Sequence, residues 1–384
     1  MGEWTTVRAA DFLEFNPRLS LKKGAIATKV AMDKIQPFTK RIPATEQAEY
    51  AGGSKFCNGD TIMARITPCL ENGKTAFVDI LADGEIAFGS TEFIVMRAKA
   101  GISDPQFIYY LATSPLFRSV AIKSMVGSSG RQRVQQGVLE ELNLFVPPLA
   151  EQKKIGAFLA TLDQKIALND KINDNLLQQA QALYGKFFPY DVADDLPAGW
   201  RVGTVGEIVE IHDSKRIPLS GAQRAKMEKR IYPYYGAASL MDYVDEYIFD
   251  GIYLLLGEDG TVVDDAGYPI LQYVWGQFWV NNHAHILTGK LGFNVESLLL
   301  LFKRTPVKSI VTGAVQPKIS QANLRSVQVV IPPQPELDAF NELIRPMFDQ
   351  IRQNQDQNKA LAAMRDALLP KLMSGEVDVS AIQI

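Results

Sequence analysis

The sequence predicts an α+β protein in which two mixed α/β domains are each followed by a long helix. First, apolar residues spaced alternately four and three positions apart follow the Pro-Pro step at Pro147, a spacing typical of a coiled-coil helix. Second, this seam recurs 185 positions later, after Pro332, with asparagines at the same two places. Third, short apolar runs separated by Gly, Asn and Asp precede each helix, as expected for strands and turns.

The first domain is predicted over residues 1–147. Its runs TIMARI, KTAFVDI and EFIVMRA predict strands, and the stretch from Asp104 to Met125 predicts one or two short helices that break at Pro115. The loop GSSGRQRV that follows is too rich in Gly and Ser to be regular. It presents the side chains of residues 131–133, which makes it a candidate for contacts with phosphates or base edges.

The central helix is predicted over residues 148–188. Pro148 suits the first turn, where no hydrogen-bond donor is needed, and Glu151 lies near the positive end of the helix dipole. The acidic, turn-rich link PYDVADDLPAGW separates this helix from the second domain, predicted over residues 189–332. Strands are expected there in GIYLLLG, QFWVNNHAHIL and VQVVI, and a helix in VESLLLLF.

The distal helix is predicted over residues 333–375 and is followed by a polar tail, residues 376–384. Pro346 should cause either a kink or a late helix start. The seam positions of the two helices are predicted to pair them: Ile155, Leu159, Leu162, Ile166, Asn169, Asn173, Leu176, Ala180, Leu183 and Phe187 in the first, and Phe340, Ile344, Met347, Ile351, Asn354, Asn358, Leu361, Arg365, Leu368 and Leu372 in the second.

The repeat extends upstream of the helices, which indicates an internal duplication. GSSGRQRVQQGVLEELNLFVPP aligns with TGAVQPKISQANLRSVQVVIPP, so that Arg133 corresponds to Lys318 and Val134 to Ile319. Chance produces one amphipathic helix easily, but it does not easily reproduce a Pro-Pro step, a seam and its two interruptions at one constant offset.

Composition favours a folded cytoplasmic protein with no membrane partner. The chain has 384 residues, of which 47% are hydrophobic and 22% charged, and its apolar runs are too short to span a bilayer. The N-terminal stretch is polar and acidic, unlike a signal peptide. Cys57 and Cys69 are too few for a metal cluster and fit buried thiols better.

Known catalytic motifs are not found in the sequence. The tripeptide GKT at Gly73 does not belong to a P-loop motif, because the first glycine of that motif would fall on Pro68. Both Pro-Pro steps have the wrong neighbours for an amino-methyltransferase motif. Asp163 and Asp213 stand in Asp-x-Lys patterns and are interpreted as solvated. His283 and His285 should share one face of a strand and form hydrogen bonds inside the domain, which is favoured over a metal site.

The net charge of −3 argues against a nucleic-acid partner, but positive charge is concentrated in loops of both domains. Acidic helices can coexist with basic loops that face DNA. The predicted DNA contacts are Lys22, Lys23, Lys40, Arg41, Arg131, Gln132 and Arg133 in the first domain and Lys215, Arg216, Arg224, Lys226, Lys229, Arg230 and Lys318 in the second.

The pattern resembles the specificity subunit of type I restriction-modification enzymes. The resemblance is carried by VPPLxEQxxIxxFLxxLDxKI, by LPxGW, by LLPKLMSGEV and, in the domains, by GSTEFIVM and NNHAHIL. It implies a host-defence protein whose two target recognition domains each read one half of a bipartite double-stranded DNA site. It also implies that two modification subunits and the restriction subunits are partners, and that these, not this chain, bind S-adenosylmethionine, ATP and Mg²⁺.

Two other interpretations remain open on the sequence alone. A stand-alone DNA methyltransferase or endonuclease would need a catalytic motif, and a coiled-coil adaptor without DNA would show no salt-dependent DNA binding. The asparagines are compatible with parallel or antiparallel helices. A bipartite reader favours the antiparallel form with pseudo-two-fold symmetry, which would place Asn169 opposite Asn358, Asn173 opposite Asn354, Ile155 near Leu372, Leu159 near Leu368, Ile166 near Leu361 and Phe187 near Phe340.

Overall fold

The computed structural model describes residues 3–313 and 315–379, and the chain divides into two compact units. The first unit contains the residues up to Lys171 and those from Asn354 onward. The second unit is Ile172–Gln353. Each unit therefore holds one mixed α/β domain together with segments of both long helices. The predicted tail, residues 376–384, lies in part outside the described residues.

The first unit contains ten strands and four short helices among its described residues. The strands are β1 (Thr5–Arg8), β2 (Leu13–Phe15), β3 (Ile26–Val30), β4 (Glu46–Glu49), β5 (Lys55–Phe56), β6 (Thr61–Ala64), β7 (Thr75–Phe77), β8 (Ala87–Gly89), β9 (Phe93–Ala98) and β10 (Asn143–Val146). The helices are α1 (Ala9–Phe12), α2 (Pro105–Thr113), α3 (Pro115–Lys123) and α4 (Gln136–Glu140). The strands form two four-stranded sheets, β2-β9-β6-β7 and β4-β3-β8-β5, and the pair β1-β10.

Local sequence explains why the helices of the first unit begin and end where they do. The Asp104 carboxylate accepts a hydrogen bond from the Phe107 N–H (3.0 Å), and the proline at position 105 stands in the first turn of α2. Ser114 caps α3 in the same way, ahead of Pro115. The predicted break at Pro115 is therefore confirmed.

The second unit contains eight strands and four short helices among its described residues. The strands are β11 (Arg201–Thr204), β12 (Val209–Ile211), β13 (Tyr232–Tyr235), β14 (Leu240–Val244), β15 (Phe249–Gly257), β16 (Leu271–Val280), β17 (Ala284–Gly289) and β18 (Gln328–Ile331). Six form one sheet in the order β12-β17-β15-β16-β13-β14, and β11 pairs with β18. The short helices are α6 (Val205–Ile208), α7 (Gly221–Ala225), α8 (Val295–Phe302) and α9 (Gln321–Ser326). The long helix α5 (Leu149–Phe187) precedes them in the chain and is shared between the units.

The predicted strand QFWVNNHAHIL is in fact two strands, because the chain turns between Val280 and Ala284. His283 consequently lies in the turn, and its side chain is 42% exposed, while His285 lies on β17 and is fully buried. The prediction that both histidines share one face of a strand is therefore wrong.

The two long helices are α5 (Leu149–Phe187) and α10 (Gln334–Met373). Pro346 is exposed within α10, which begins twelve residues before it, so the alternative of a late helix start is wrong. Neither of these helices, nor any other in the described part of the chain, is long and apolar enough to cross a bilayer.

Within each unit the helix segments run antiparallel. In the first unit Asn169 Nδ2 donates to Asn358 Oδ1 (2.8 Å), and Arg365 pairs with Asp163 (2.6 Å), so residue numbers fall along α10 as they rise along α5. In the second unit the rings of Phe187 and Phe340 lie 5.4 Å apart. The predicted contacts Asn169–Asn358 and Phe187–Phe340 are confirmed.

Buried clusters connect each domain to its helix segments. In the first unit Ile155, Leu159 and Leu372 are buried in the same cluster as Phe107 and Tyr110 of α2. In the second unit the buried cluster combines strand and α8 residues with helix positions such as Ala180, Phe340, Ile344 and Phe348. The helix segments therefore supply part of the core of each domain.

Candidate nucleic-acid interface

Four of the predicted contacts in the first unit are exposed cations. Lys22 and Lys23 precede a turn at Gly24, whose φ of +86° favours glycine, and Arg41 and Arg131 lie in loops. Their side chains form no ion pair with the described residues. Such cations are available to neutralise phosphate groups, because no carboxylate competes for them.

Lys40, in contrast, is turned inward. Its ammonium donates hydrogen bonds to Tyr110 Oη (3.2 Å) and to Gln106, and it lies 4.7 Å from the centre of the Tyr110 ring. Burial lowers the pKa of Lys40 to about 8, although the negative charges of Asp163 and Asp79 act in the opposite direction. Lys40 is thus part of the domain interior and is not presented on the surface.

Asp163 lies at the centre of the same network. Its carboxylate accepts hydrogen bonds from Tyr110 Oη (2.5 Å) and from Arg365 Nη1 (2.6 Å), and its side chain is only 11% exposed. Burial and the adjacent carboxylate raise the pKa of Tyr110, which keeps the hydroxyl a donor. The interpretation of Asp163 as solvated is wrong, because its partner Arg365 is distant in sequence.

A closed hairpin, residues 126–133, carries the predicted contacts Arg131, Gln132 and Arg133. Val126 and Arg133 exchange two backbone hydrogen bonds (3.0 and 2.9 Å), and Gln132 O accepts from Thr67 N (3.0 Å). At its base the Arg133 guanidinium binds Glu92 (2.6 Å). The backbone is therefore fixed at the end of β6, while Arg131 remains exposed.

The second unit has the same feature, the 312–318 hairpin. Thr312 and Lys318 exchange two backbone hydrogen bonds (2.8 and 2.7 Å), and Pro317 O accepts from Gly260 N (3.0 Å). The Lys318 ammonium lies 3.4 Å from Glu258. Arg133 and Lys318, matched by the duplication, thus both lie at the base of a hairpin, and the second hairpin is one residue shorter than the first.

Arg216 is held inside the second unit by two acidic residues and the backbone. Its guanidinium donates to Glu258 Oε2 (2.6 Å), to Ala284 O (2.7 Å) and to Asp213 O (3.1 Å), and its side chain is 13% exposed. Arg216 therefore neutralises buried carboxylates and is not available to DNA in this arrangement.

Asp213 is buried as well, so its interpretation as solvated is also wrong. Its carboxylate accepts hydrogen bonds from His285 Nδ1 (2.6 Å), Gln321 Nε2 (2.6 Å) and Ile286 N (3.0 Å). Burial would raise the pKa of Asp213, but the hydrogen bonds from His285 and Ile286 and the charge of Arg216 together lower it. Asp213 is consequently ionised in the folded protein.

His285 links this cluster to the 312–318 hairpin. Its Nδ1 faces the Asp213 carboxylate, and its Nε2 lies 2.8 Å from Ile319 O. Both neighbours offer hydrogen-bond acceptors, so the two ring nitrogens connect the Asp213 carboxylate to the chain at the end of the hairpin. Asp213, Glu258 and His285 are close enough to resemble a metal-ligand set. Their ligand atoms, however, already bind Arg216, Gln321 and each other, which makes an ion-pair network the better description.

The remaining basic residues of the second unit fall into two groups. Arg224 and Arg230 both pair with Asp242 and are therefore partly neutralised. Lys215, Lys226 and Lys229 are exposed and form no ion pair with any described residue. These three lysines join Lys22, Lys23, Arg41 and Arg131 as cations available for phosphate.

Sequence reasoning missed one surface feature that the structure makes plain. Val315, in the 312–318 hairpin, is 99% exposed. The exposed apolar side chains of Ile231, Met241 and Tyr243 lie on or beside the edge strand β14. A single valine in a turn-rich loop belongs to no periodic pattern of apolar residues. The sequence therefore did not indicate that its side chain would be exposed.

The model of the type I restriction modification DNA specificity domain matches this chain twice, over residues 1–178 and 197–361. The chain belongs to this family. It is accordingly a DNA specificity subunit and not itself an enzyme, which removes the stand-alone enzyme and the adaptor as interpretations. The two matches coincide with the two halves of the duplication.

Named relatives agree with this assignment. The chain is 24% identical over 309 residues to the type I restriction enzyme MjaIX specificity subunit of Methanocaldococcus jannaschii, which covers 72% of this chain and 70% of the relative. It is 21% identical over 418 residues to the MjaVIII specificity subunit of the same organism, covering 98% and 93%. The crystal structure of a type I restriction-modification S subunit from M. genitalium has a TM-score of 0.54 at 16% identity, covering 97% and 96%, and so shares the fold.

Proposed function

We propose that this chain recognises a bipartite double-stranded DNA target, with the domain of each unit reading one half. The observation that supports this most directly is the pair of hairpins, 126–133 and 312–318. Each is closed by two backbone hydrogen bonds and has a paired cation at its base. Hairpins at duplicated positions that present different exposed side chains are what two readers of different half-sites require.

The exposed cations fit a second part of this proposal, which is binding to the DNA backbone. Phosphate contacts position a protein on the duplex and supply affinity that does not depend on sequence. The exposed cations that form no ion pair with a described residue would make these contacts, namely Lys22, Lys23, Arg41, Arg131, Lys215, Lys226 and Lys229. Arg133, Arg216, Arg224, Arg230 and Lys318 have acidic partners and would act mainly by fixing loops.

Membership of the family supports a proposal about the partners of this chain. We propose that two modification subunits and the restriction subunits of a cytoplasmic host-defence complex assemble with this chain and act where it binds. These subunits would bind S-adenosylmethionine, ATP and Mg²⁺. The predicted domain limits, 1–147 and 189–332, with the helices between and after them, would then separate DNA reading from assembly.

An exchange of one domain tests the proposal. Residues 1–147 are replaced by the corresponding domain of another family member, and the complex is expressed with its modification subunits in a host that lacks other methyltransferases. Sequencing of methylated bases should show one altered half-site and one unchanged half-site. Replacement of residues 189–332 is the matched control and should alter only the other half. A change in both halves after either exchange contradicts the proposal.

A further inference from the structure

Arg41 lies between two residues whose side chains point into the first unit. Its own side chain is exposed and forms no ion pair with any described residue. On one side of it, Ile42 is only 2% exposed and belongs to a buried cluster that includes Val30 and Ile35. On the other side, the side chain of Lys40 enters a separate part of the interior. The backbone of Arg41 is therefore held at both ends.

The Lys40 ammonium lies among three aromatic rings and two hydrogen-bond acceptors. Its Nζ is 5.2 Å from the ring centre of Phe77, 5.2 Å from that of Tyr109 and 4.7 Å from that of Tyr110. It donates hydrogen bonds to Gln106 Oε1 and to Tyr110 Oη (3.2 Å). The Lys40 carbonyl also accepts a hydrogen bond from Phe77 N (3.0 Å). Both the side chain and the backbone of Lys40 are thus fixed.

The acceptors of the Lys40 ammonium are themselves bound to the helix segments of the first unit. The Tyr110 hydroxyl donates to Asp163 Oδ2 of α5 (2.5 Å), and Asp163 Oδ1 accepts from Arg365 of α10 (2.6 Å). Lys40 therefore connects the loop that carries Arg41 to α2, α5 and α10.

A buried ammonium is a costly way to fill this space. Burial lowers the pKa of Lys40 to about 8, so the charged form is less favourable here than in water. An apolar side chain of similar length would fill the space without that cost. It would lack the hydrogen bonds to Gln106 and Tyr110, and a satisfied buried polar network specifies one arrangement where apolar packing alone allows several.

We propose that Lys40 is a positioning residue for DNA binding: its ammonium holds the loop so that Arg41 contacts a phosphate of the half-site bound by the first unit. This inference rests on the proposed function, in which Arg41 binds the DNA backbone. It assigns to the neighbouring lysine a role that does not involve contact with DNA. A loop that is ordered before binding loses less conformational freedom when the contact forms, so the contact contributes more to affinity.

The test uses the complex of the full chain with its modification subunits and the duplex identified from its methylated sites. Dissociation constants are measured at several salt concentrations for the parent complex, Lys40→Met, Arg41→Ala and the double variant. Arg41→Ala should reduce the slope of log Kd against log salt by about 1, the effect of losing one phosphate contact. Lys40→Met should reduce the slope by a similar amount. The double variant should match Arg41→Ala, because both changes remove the same contact.

Lys99→Met is the matched control, because it removes the charge of another partly buried lysine of the first unit, whose ammonium donates to Ala10 O (2.5 Å). It should leave the slope unchanged. Gln106→Ala removes one acceptor of the Lys40 ammonium without changing any charge, and it should reduce the slope by a smaller amount. The Tm of each variant is measured alongside, and Gln106→Ala decides the question where Lys40→Met lowers the Tm.

Three results would overturn the inference. The first is a parent-like slope for Lys40→Met or, where that variant is less stable, for Gln106→Ala. The second is a double variant whose loss of slope is the sum of the two single losses, and the third is an equal loss for Lys99→Met. A parent-like slope for Arg41→Ala also overturns the inference but leaves the bipartite recognition of DNA standing. Failure of the parent complex to prefer the target duplex over unrelated DNA would instead contradict the proposed function.

Discussion

The two units use different side chains to fix the backbone that follows each hairpin. The carbonyl that follows each hairpin, Val134 O in the first unit and Ile319 O in the second, accepts a side-chain hydrogen bond. Arg65 donates it in the first unit (3.1 Å) and His285 in the second (2.8 Å). The backbone frame is therefore preserved, and the buried side chains that support it can be exchanged.

The exchange involves more than one residue. The strand position of His285, opposite Leu256, corresponds to that of Ile94, opposite Met63. An isoleucine needs only packing there, whereas a buried imidazole ring needs hydrogen-bond partners for its two nitrogens, which are Asp213 and Ile319 O. In the second unit, therefore, support of the hairpin depends on a complete ionic cluster. The residues of this cluster should tolerate substitution only when they are changed together.

A second contrast concerns the contact between each domain and the helices. In the first unit Arg365 of α10 binds Asp163, which also binds Tyr110. In the second unit Arg352 of α10 binds Glu296 (2.8 Å), which also accepts from Tyr273 (2.6 Å). These arginines match alanines in the duplicated helix, at positions 180 and 167. The arginine–carboxylate–tyrosine arrangement thus occurs in both units but arises from non-equivalent positions.

Asp213→Ala should have the largest effect and should affect the second unit alone. It removes the carboxylate that accepts hydrogen bonds from His285 and Gln321 and leaves Arg216 with Glu258 alone, so the free energy of unfolding of that unit should fall by about 3–5 kcal/mol. Urea unfolding followed by tryptophan fluorescence measures this, with Glu210→Ala, an exposed acidic residue, as control. An effect no greater than that of Glu210→Ala would mean that the cluster does not stabilise the unit.

Lys40 gives the first unit a contribution to stability that depends on pH. Its pKa is about 8 in the folded protein against the ordinary value of 10.5, so the unfolded chain binds the proton more tightly. The stability contributed by this group should therefore rise as the pH increases from about 8 to 10.5. The difference in unfolding free energy between the parent protein and Lys40→Met, measured across this range, should show the rise. A flat difference would contradict the inward position of Lys40.

The polar layer of the helices predicts a smaller effect of opposite sign. Asn169 Oδ1 is buried and has no hydrogen-bond donor among the described residues, although Nδ2 binds Asn358. Replacing both Asn169 and Asn358 with Leu should raise the free energy of unfolding by about 1–2 kcal/mol and weaken the specification of register. Scanning calorimetry should show a higher Tm. A lower Tm would mean that these amides stabilise the helix pair as well as align it.

The smallest expected effect separates free from paired cations. Lys226→Ala should leave Tm unchanged and reduce the slope of log Kd against log salt by about 1, because one phosphate contact is lost. Arg230→Ala should change the slope less, since Asp242 already neutralises Arg230. Titration of DNA at several salt concentrations measures both. Equal slopes for the two variants would show that pairing with Asp242 does not matter.

The sequence by itself determined the order of domains and helices, the duplication and the family. These properties depend on local signals: the seam spacing that defines α5 and α10, the prolines that begin α2 and α3, and the apolar runs that become β6 and β9. The antiparallel direction within each unit needed one further argument, that a bipartite reader requires it. The folded helices retain the predicted spacing of apolar residues, because that spacing depends only on residues that are near one another in sequence.

Only the tertiary structure decided which charged side chains face inward. Lys40, Asp163, Asp213 and Arg216 all stood in polar sequence contexts, and all are at least partly buried against distant partners. Asp163 meets Arg365 across 202 positions, and Asp213 meets His285 across 72. Burial of a charge depends on whether a partner elsewhere in the chain can offset its loss of hydration, and no local pattern encodes where that partner will be.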